Sequence, residues 1–254
     1  MEFDLEAVRG DMASHGELRV AINLGNPVLA QRDENTGALS GVSVALAYAL
    51  ADELEISLSL TSYDAAGKVF SALEEQAWDL AFLAIEPVRA EKISFTTPYV
   101  CIDGTYLVKT ESQFQCASAL DTGGCRIAVG KGAAYDLYLS RTLKNAELIR
   151  ATTSAGAVDT FLALGLEAAA GVRQPLERFA RSTSGFRVLQ DNFTEIRQAM
   201  AVPKGRAAAA EYVQSFINRS IRSGFVAKAL EASGVQDARV AQPSDAWASS
   251  TRIA

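Results

Sequence analysis

The first part of the chain has hydrophobic positions that switch between strand spacing and helix spacing. Leu18 to Asn23 alternates between apolar and polar side chains, which is typical of a half-buried strand. Over residues 5–85 the pattern predicts helices at 5–14, 41–54 and 65–75 and strands at 18–23, 56–60 and 80–85. This alternation predicts a mainly parallel sheet with helices on both faces.

A second series of the same kind begins at residue 126. It predicts strands at 126–129, 147–150 and 168–172, with helices at 134–143 and 155–164. Segments 104–109 and 195–202 are predicted to be strands that cross between the two series, and the helices 206–222 and 225–232 follow the second of them. Two similar units in tandem predict an α/β fold with two lobes.

The two crossing strands set the expected domain boundaries. The first lobe is expected to be discontinuous, because the chain returns to it after the second crossing. We expect lobe 1 at 1–103 plus 197–254, lobe 2 at 108–192, and hinge strands at about 104–109 and 193–200. The tail after Ala241 is polar and is expected to be poorly ordered.

Composition narrows the class of protein. The 254 residues are 49% hydrophobic and 21% charged, which predicts a packed core and little disorder. The net charge of −6 argues against a nucleic-acid partner, since such proteins normally present a basic face.

The N-terminus leaves the compartment open. No apolar run approaches the ~18 residues that span a bilayer. Residues 1–6 are acidic and lack the apolar core of a secretory signal. Either a signal was removed and a start Met was added, which predicts a periplasmic protein, or the protein stays in the cytoplasm.

The cysteine and histidine content argues against a metal centre. The chain has three cysteines and one histidine, His15, and no pair has C-x-x-C spacing. A zinc site needs four such ligands within reach of one ion, and these four residues cannot readily supply them. We therefore predict no metal and no cofactor. Cys116 and Cys125 flank Gly123 and Gly124 and could form a disulfide in an oxidising compartment; three free thiols are the alternative.

Residues 78–99 carry the clearest candidate for binding chemistry. An apolar strand runs through Glu86 and Pro87 into a short helix, and Arg89 falls in its first turn. A helix start offers unpaired N–H groups and partial positive charge, so an added arginine suits a carboxylate or another small anion. Pro87 fits the first helical position, and Glu86 is expected to be a cap that turns away from the cleft. A surface arginine without a ligand is the alternative for Arg89.

The same stretch resembles the signature of family 3 extracellular solute-binding proteins, Asp-Leu…Thr-x-x-x-x-Arg…Phe-x-x-Pro-Tyr. Further motifs stand in the family's order over most of 16–235: Gly16-Glu-Leu-Arg-Val-Ala, Gly37-x-Leu-x-Gly41-Val-Ser-Val, Val129-Gly-Lys-Gly132 and Ala201-Val-Pro-Lys-Gly205. The resemblance implies the type II periplasmic-binding fold, with two α/β lobes, two hinge strands and a ligand in the cleft between them.

The resemblance also implies a carboxylate site in which Arg89 grips the ligand. The family threonine five residues earlier is Ala84 here, and its Gly-Thr-Thr loop is Gly132-Ala133-Ala134, so hydroxyl donors are missing. Backbone N–H groups of that loop can still bind an anion. Lys131 either restores charge or is solvated.

Three positions depart from the family's amino-acid site. The aspartate that binds an α-ammonium is Arg173 here, and two further acidic positions are Ser43 and Asn23. We therefore predict a small anionic solute, such as a carboxylate or dicarboxylate, and not a standard α-amino acid. A one-residue alignment slip would leave Arg173 outside the cleft, and Asp191 or Glu195 could supply an acid instead.

The predicted function is a receptor of an ABC-type uptake system. The closed form of a monomer would dock on a membrane permease. The sequence contains no recognisable nucleophile–base pair and no G-x-S-x-G motif, either of which would indicate an enzyme. The alternatives are a cyclohexadienyl-dehydratase-like enzyme on the same fold, which would need an acid in the cleft, and an orphan or sensory ligand-binding module.

Overall fold

The computed structural model describes residues 3–235 and 238–245. The N-terminal part contains three helices and five strands of the described chain. They are α1 (Leu5–Met12), β1 (Glu17–Asn23), β2 (Gln31–Arg32), β3 (Leu39–Ser40), α2 (Val42–Leu54), β4 (Ser57–Tyr63), α3 (Ala66–Ser71) and β5 (Leu80–Ala84).

The central part begins with a one-turn helix and contains the first long crossing strand. Its elements are α4 (Pro87–Ala90), β6 (Ile93–Phe95), β7 (Val100–Lys109), a 3₁₀ turn (Ala117–Leu120), β8 (Arg126–Gly130), α5 (Ala134–Thr142), β9 (Glu147–Ala151), α6 (Ser154–Leu164) and β10 (Ala168–Val172).

The C-terminal part contains the second crossing strand and the longest described helix. Its elements are α7 (Arg173–Ser182), β11 (Phe186–Val188), β12 (Thr194–Pro203), α8 (Ala207–Arg222), α9 (Phe225–Ala232), β13 (Arg239–Val240) and a 3₁₀ turn (Pro243–Asp245). The prediction of a poorly ordered tail falls mostly on 246–254, which lie outside the described residues.

The main sheet joins two parallel groups of strands. Its order is β4-β1-β5-β12-β7-β10-β8-β9. β1 pairs in parallel with β4 and β5, and β8 pairs in parallel with β9 and β10. The ten-residue strands β7 and β12 lie between the groups and run antiparallel to each other. The predicted parallel units and both crossing strands are therefore present.

Each parallel group has its own core, and we refer to these two halves as the first and second lobes. In the first lobe, Leu18, Leu46 and Phe216 belong to one buried cluster. In the second lobe, Ile127 and Leu139 belong to another. Separate cores agree with two lobes, while the residue boundaries predicted for them stay a prediction.

Two elements differ from the sequence pattern. The predicted helix at 65–75 ends at Ser71, and the chain then turns through Gln76, whose φ of 51° is incompatible with a continuing helix. α7 was not predicted, although its charged residues and its apolar Leu176 and Phe179 follow helical spacing. Pro175 hides this helix in the sequence, yet it lies in the first turn, where proline is tolerated.

The cysteines are free thiols in this structure. Cys101 and Cys125 are buried and Cys116 is exposed, so the structure has the three-thiol alternative. Among the described residues, the longest helices are too short or too polar to span a bilayer.

Candidate functional site

Arg89 is buried at the start of α4. Its side chain is 1% exposed, and Pro87 occupies the first turn as predicted. Nη1 donates to the Ala84 carbonyl at 3.0 Å, and Nη2 donates to the Gly132 carbonyl at 2.8 Å. Burial lowers the pKa of the guanidinium to about 10, so the group stays protonated at neutral pH.

One N–H group of Arg89 has no partner. Nε is buried and makes no hydrogen bond. A buried donor without a partner costs about 1–3 kcal/mol, so the guanidinium retains capacity for an acceptor. Nε and Nη2 form the edge on which arginine binds a carboxylate with two parallel hydrogen bonds. The second position on that edge is held by the Gly132 carbonyl.

A small cavity of about 30 Å³ is lined in part by Arg89. It brings together five of the eight predicted site residues, Asn23, Ala84, Arg89, Ala133 and Ala134, and Gly132 contacts Arg89 through its carbonyl. The remaining lining residues are Gly25, Asn26, Ala66, Tyr135, Ser154, Val172, Ile196 and Gln198. Arg89 is thus the only charged residue in this lining, within the part of the chain that the structure describes.

The two lobes touch beside this cavity. A Cβ added to Gly132 would lie 2.9 Å from the Cα of Gly67, so the backbones are in direct contact and a side chain would not fit. Gly132 also has a φ of 71°, which favours glycine. The contact places the second-lobe loop against α3 of the first lobe.

Glu86 forms a second bridge between the lobes. It occupies the N-cap position of α4 as predicted, although its carboxylate makes no capping bond. Its Oε2 instead accepts from Arg141 Nη1 on α5 at 2.5 Å. The Glu86 side chain is 8% exposed, and burial raises the pKa of its carboxyl despite the partner.

A larger chamber of about 510 Å³ opens next to the Arg89 cavity. The two share Gly25, Tyr135, Ser154 and Val172. The other chamber residues are Leu24, Pro27, Asp64, Thr153, Ala155, Val158, Asp159, Gly171, Pro175, Leu176 and Phe179. Sequence analysis missed this chamber, and the amphipathic pattern of 173–182 was the only local signal for its α7 wall.

Tyr135 lies where the two cavities meet. Its ring is 2% exposed, and burial raises the pKa of its hydroxyl to about 12. The hydroxyl lies near Ser154 and Gly130 but has no hydrogen bond of standard geometry. Together with Arg89 Nε, it gives the site two buried donors that a ligand acceptor would satisfy.

Ser43 and Arg173 do not line either cavity. Ser43 Oγ lies 3.1 Å from the Tyr99 hydroxyl in the first-lobe core. Arg173 Nε donates to Asp103 at 3.2 Å, and its other nitrogens donate to the carbonyls of Leu189, Gln190 and Asp191. This guanidinium fastens a segment that leads into β12, so the structure has the arrangement of the alternative, with Arg173 outside the cleft.

The other charged candidates are also committed elsewhere. The Asp191 carboxylate accepts from the backbone N–H of Ala117. Glu195 pairs with Arg239 at 2.7 Å, and Lys131 is exposed. Neither acid therefore reaches Arg89 in this arrangement.

Cys101, Glu195 and Asp245 form a group of potential metal ligands. Arg239 donates to both carboxylates, at 2.7 Å and 2.6 Å, and so supplies the positive charge there. Burial raises the pKa of the Cys101 thiol to about 12, which keeps it protonated and a weak ligand. The group is an ion-pair cluster rather than a cation site.

Comparison with known proteins agrees with this architecture. The sequence model of the family "Bacterial extracellular solute-binding proteins, family 3" matches residues 18–232 of this chain. No curated relative matches the sequence.

Solved structures match the fold closely at low identity. A mutant of ArgBP from T. maritima is 20% identical with a TM-score of 0.77, covering 91% of this chain and 100% of that one. Cysteine-binding protein from Campylobacter jejuni is 20% identical with a TM-score of 0.75, covering 91% and 93%. An ancestral amino acid-binding protein, a precursor of cyclohexadienyl dehydratase, is 22% identical with a TM-score of 0.73, covering 87% and 97%.

These matches confirm the predicted type II periplasmic-binding fold with its two lobes. The matched family model spans most of the chain and includes both crossing strands and the Arg89 segment. The chain therefore belongs to the bacterial extracellular solute-binding proteins, family 3.

Proposed function

We propose that this solute-binding receptor of an ABC transporter takes a small carboxylate-bearing anion in its inter-lobe cleft, and that this anion has no free α-ammonium. The observation that carries the proposal is the buried, unpartnered Nε of Arg89. A carboxylate on the Nε–Nη2 edge would satisfy this donor and form a charge-assisted pair. The membrane permease of the transporter is the expected macromolecular partner.

The lining around Arg89 supports the second half of the proposal. An α-ammonium needs an acidic partner when it is removed from water. The described lining of the small cavity has no aspartate or glutamate, and Asn23 stands where the family often has an acid. Arg173 is paired with Asp103 and Glu177, so its position supplies no negative charge to the cleft either.

Ligand binding would replace one bridge between the lobes by another. The Gly132 carbonyl now occupies part of the arginine edge that a carboxylate needs. A carboxylate would take that position, and the second lobe would withdraw slightly and then close on the ligand. Hinge closure of this kind requires movement only in the strands that cross between lobes, β7 and β12.

The matched pair 3-phenylpropanoate and L-phenylalanine tests the proposal, because the two molecules differ only in the α-ammonium. A thermal-shift assay should show stabilisation by 3-phenylpropanoate, since a ligand at 100 times its Kd adds about 2.7 kcal/mol. L-phenylalanine should give a smaller shift. Tighter binding of the amino acid would overturn the proposal, in line with structural neighbours that were solved with L-arginine and lysine.

A dehydratase-like enzyme is the second candidate, favoured by the match to the ancestral precursor. Such chemistry needs an acid beside the leaving hydroxyl. The acids of the described cavities, Asp64 and Asp159, lie in the outer chamber and not beside Arg89. Incubation with prephenate or arogenate decides: release of an aromatic product would establish the enzyme, and its absence supports the receptor.

The remaining assignments follow from the receptor role. Family membership implies a periplasmic or extracellular location. We propose a monomer, which sedimentation at micromolar concentration tests. Permease and ATPase genes beside this one would favour transport, whereas a kinase gene would favour the sensory alternative.

A further inference from the structure

We infer that the chamber beside Arg89 selects an apolar monocarboxylate and rejects dicarboxylates. The inference rests on the proposed function, because it takes Arg89 as the carboxylate anchor. The sequence predicts a carboxylate or a dicarboxylate as the ligand, and the chamber favours the monocarboxylate.

A single ligand molecule can occupy both cavities. They share four wall residues, so the chamber adjoins the cavity that Arg89 lines. Tyr135 lines both cavities, and its buried hydroxyl has no hydrogen-bond partner of standard geometry. The chamber volume of about 510 Å³ lies within the range of roughly 300–1,000 Å³ that is usual for small-molecule sites.

The walls of the chamber are mostly apolar. Both lobes contribute apolar side chains to them. The first lobe contributes Leu24 and Pro27, and the second contributes Val158, Val172, Leu176 and Phe179. Burying the hydrocarbon part of a ligand against them removes apolar surface from water and so favours binding. A polar body, such as that of a sugar acid, would lose water there without gaining hydrogen bonds.

The charge of the chamber lining disfavours a second carboxylate on the ligand. The described lining contains no lysine, arginine or histidine, and its charged residues are Asp64 and Asp159, both exposed. Asp64 pairs with Lys68 at 2.8 Å, whereas Asp159 takes part in no ion pair with another described residue. A second carboxylate on the ligand would therefore find no cation in the described lining and would meet Asp159, whose charge is not offset by an ion pair there.

Calorimetric titration with 3-phenylpropanoate and glutarate tests the inference. Wild type should bind 3-phenylpropanoate at least tenfold more tightly than glutarate. Val158→Lys places a cation in the chamber wall and should reverse that order. Leu162→Lys is the matched control, because Leu162 lies on the same helix, is 43% exposed and does not line the chamber; it should behave as wild type.

The outcomes separate the inference from the proposed function. Equal or tighter binding of glutarate by wild type, no binding of 3-phenylpropanoate, or an unchanged order in a folded Val158→Lys variant would each overturn the inference. Arg89→Ala tests the anchor: if glutarate binds more tightly to wild type and Arg89→Ala removes it, the proposed function stands and the inference fails. If Arg89→Ala binds both probes as wild type does, the proposed anchor fails.

Discussion

At the scale of single residues, the cleft is defined by the hydrogen bonds that its polar groups do not make. Arg89 has two carbonyl partners and an unpartnered Nε–H, and Tyr135, which lines the same cavity, has an unpartnered hydroxyl. Both donors are buried, so a ligand acceptor gains more from them than it would in water. Both donors favour an anion, and the described lining of the small cavity offers no carboxylate to an ammonium.

Asn23→Asp should restore a partner for the ammonium group. Asn23 lines the Arg89 cavity, and its Oδ1 accepts the Gly25 N–H at 3.0 Å, a bond that an aspartate oxygen preserves. The affinity ratio of L-phenylalanine to 3-phenylpropanoate should rise at least tenfold, which is about 1.4 kcal/mol. Competition binding measures the ratio.

Asn218→Asp is the control for that variant. Asn218, on α8, also accepts hydrogen bonds through its Oδ1, from Thr97 and from Gln214, and it lines neither cavity. The control should leave the ratio unchanged. An equal change in both variants, or none in Asn23→Asp, would mean that the ligand's α-position does not face Asn23.

The position of Arg89 in the lining of the small cavity was predictable from sequence, whereas the positions of the Arg173 and Ser43 side chains were not. The Arg89 backbone position is fixed locally by a strand that leads into a proline-started helix. Arg173 indeed follows β10, but its long side chain turns to carbonyls 16–18 residues further along the chain. Side-chain direction at such a position depends on tertiary neighbours, which motif spacing does not reveal.

At the scale of elements, α4 and α5 face each other across the cleft. Glu86 at the start of α4 and Arg141 near the end of α5 form a bridge between lobes. The bridge is only partly protected from solvent, since Arg141 is 43% exposed. Burial of Glu86 is the larger effect on its pKa, so this contact should respond to pH.

The pH dependence of stability should reveal the balance between the burial of Glu86, which raises its pKa, and the Arg141 bridge, which lowers it. Burial raises the pKa of Glu86 above its ordinary value of 4.5, so the folded protein binds this proton more readily than the unfolded chain. The stability of wild type relative to Glu86→Gln should therefore fall as pH rises from 4.5 through the raised pKa, and then level off. Urea unfolding at a series of pH values measures the difference.

Arg141→Gln sharpens this test. Without its partner, the buried Glu86 carboxylate should cost more, so stability should fall more steeply over the same pH range. A relative stability of wild type that rises with pH would show that the Arg141 bridge outweighs the burial of Glu86.

The chamber shows why elements were easier to predict than the site. Hydrophobic spacing is local, and it gave β10 at 168–172 with both ends correct. The chamber walls come from five separate places in the chain: 24–27, Asp64, Tyr135, 153–159 and 171–179. Their meeting depends on how the lobes close, and no local pattern encodes that.

At the scale of the whole molecule, the lobes meet through backbone and not only through side chains. A Cβ on Gly67 would lie 3.0 Å from the Lys131 carbonyl and 3.3 Å from the Gly132 Cα. Gly67→Ala should therefore disfavour the closed contact and populate more open arrangements of the two lobes, while leaving each core intact. Small-angle scattering should show a radius of gyration above that of wild type, which is expected at roughly 18 Å for a compact chain of this length.

Gly10→Ala provides the control for the scattering experiment. Gly10 is also helical, in α1, but a Cβ there meets nothing within 4 Å. Its radius of gyration should match wild type, and its stability should rise by about 0.5–1 kcal/mol from the better helix propensity of alanine. Identical scattering of the two variants would contradict the contact between lobes.

The central claim is that Arg89 anchors a carboxylate in the cleft, and one calorimetric titration tests it most directly. 3-Phenylpropanoate is titrated into wild type, Arg89→Ala and Arg126→Ala, the last of which removes an arginine whose partner, Glu167, lies outside the cavities. Wild type and Arg126→Ala should bind alike, and Arg89→Ala should lose about 2–5 kcal/mol of binding while retaining a cooperative thermal transition. Unchanged affinity in a folded Arg89→Ala variant would contradict the account.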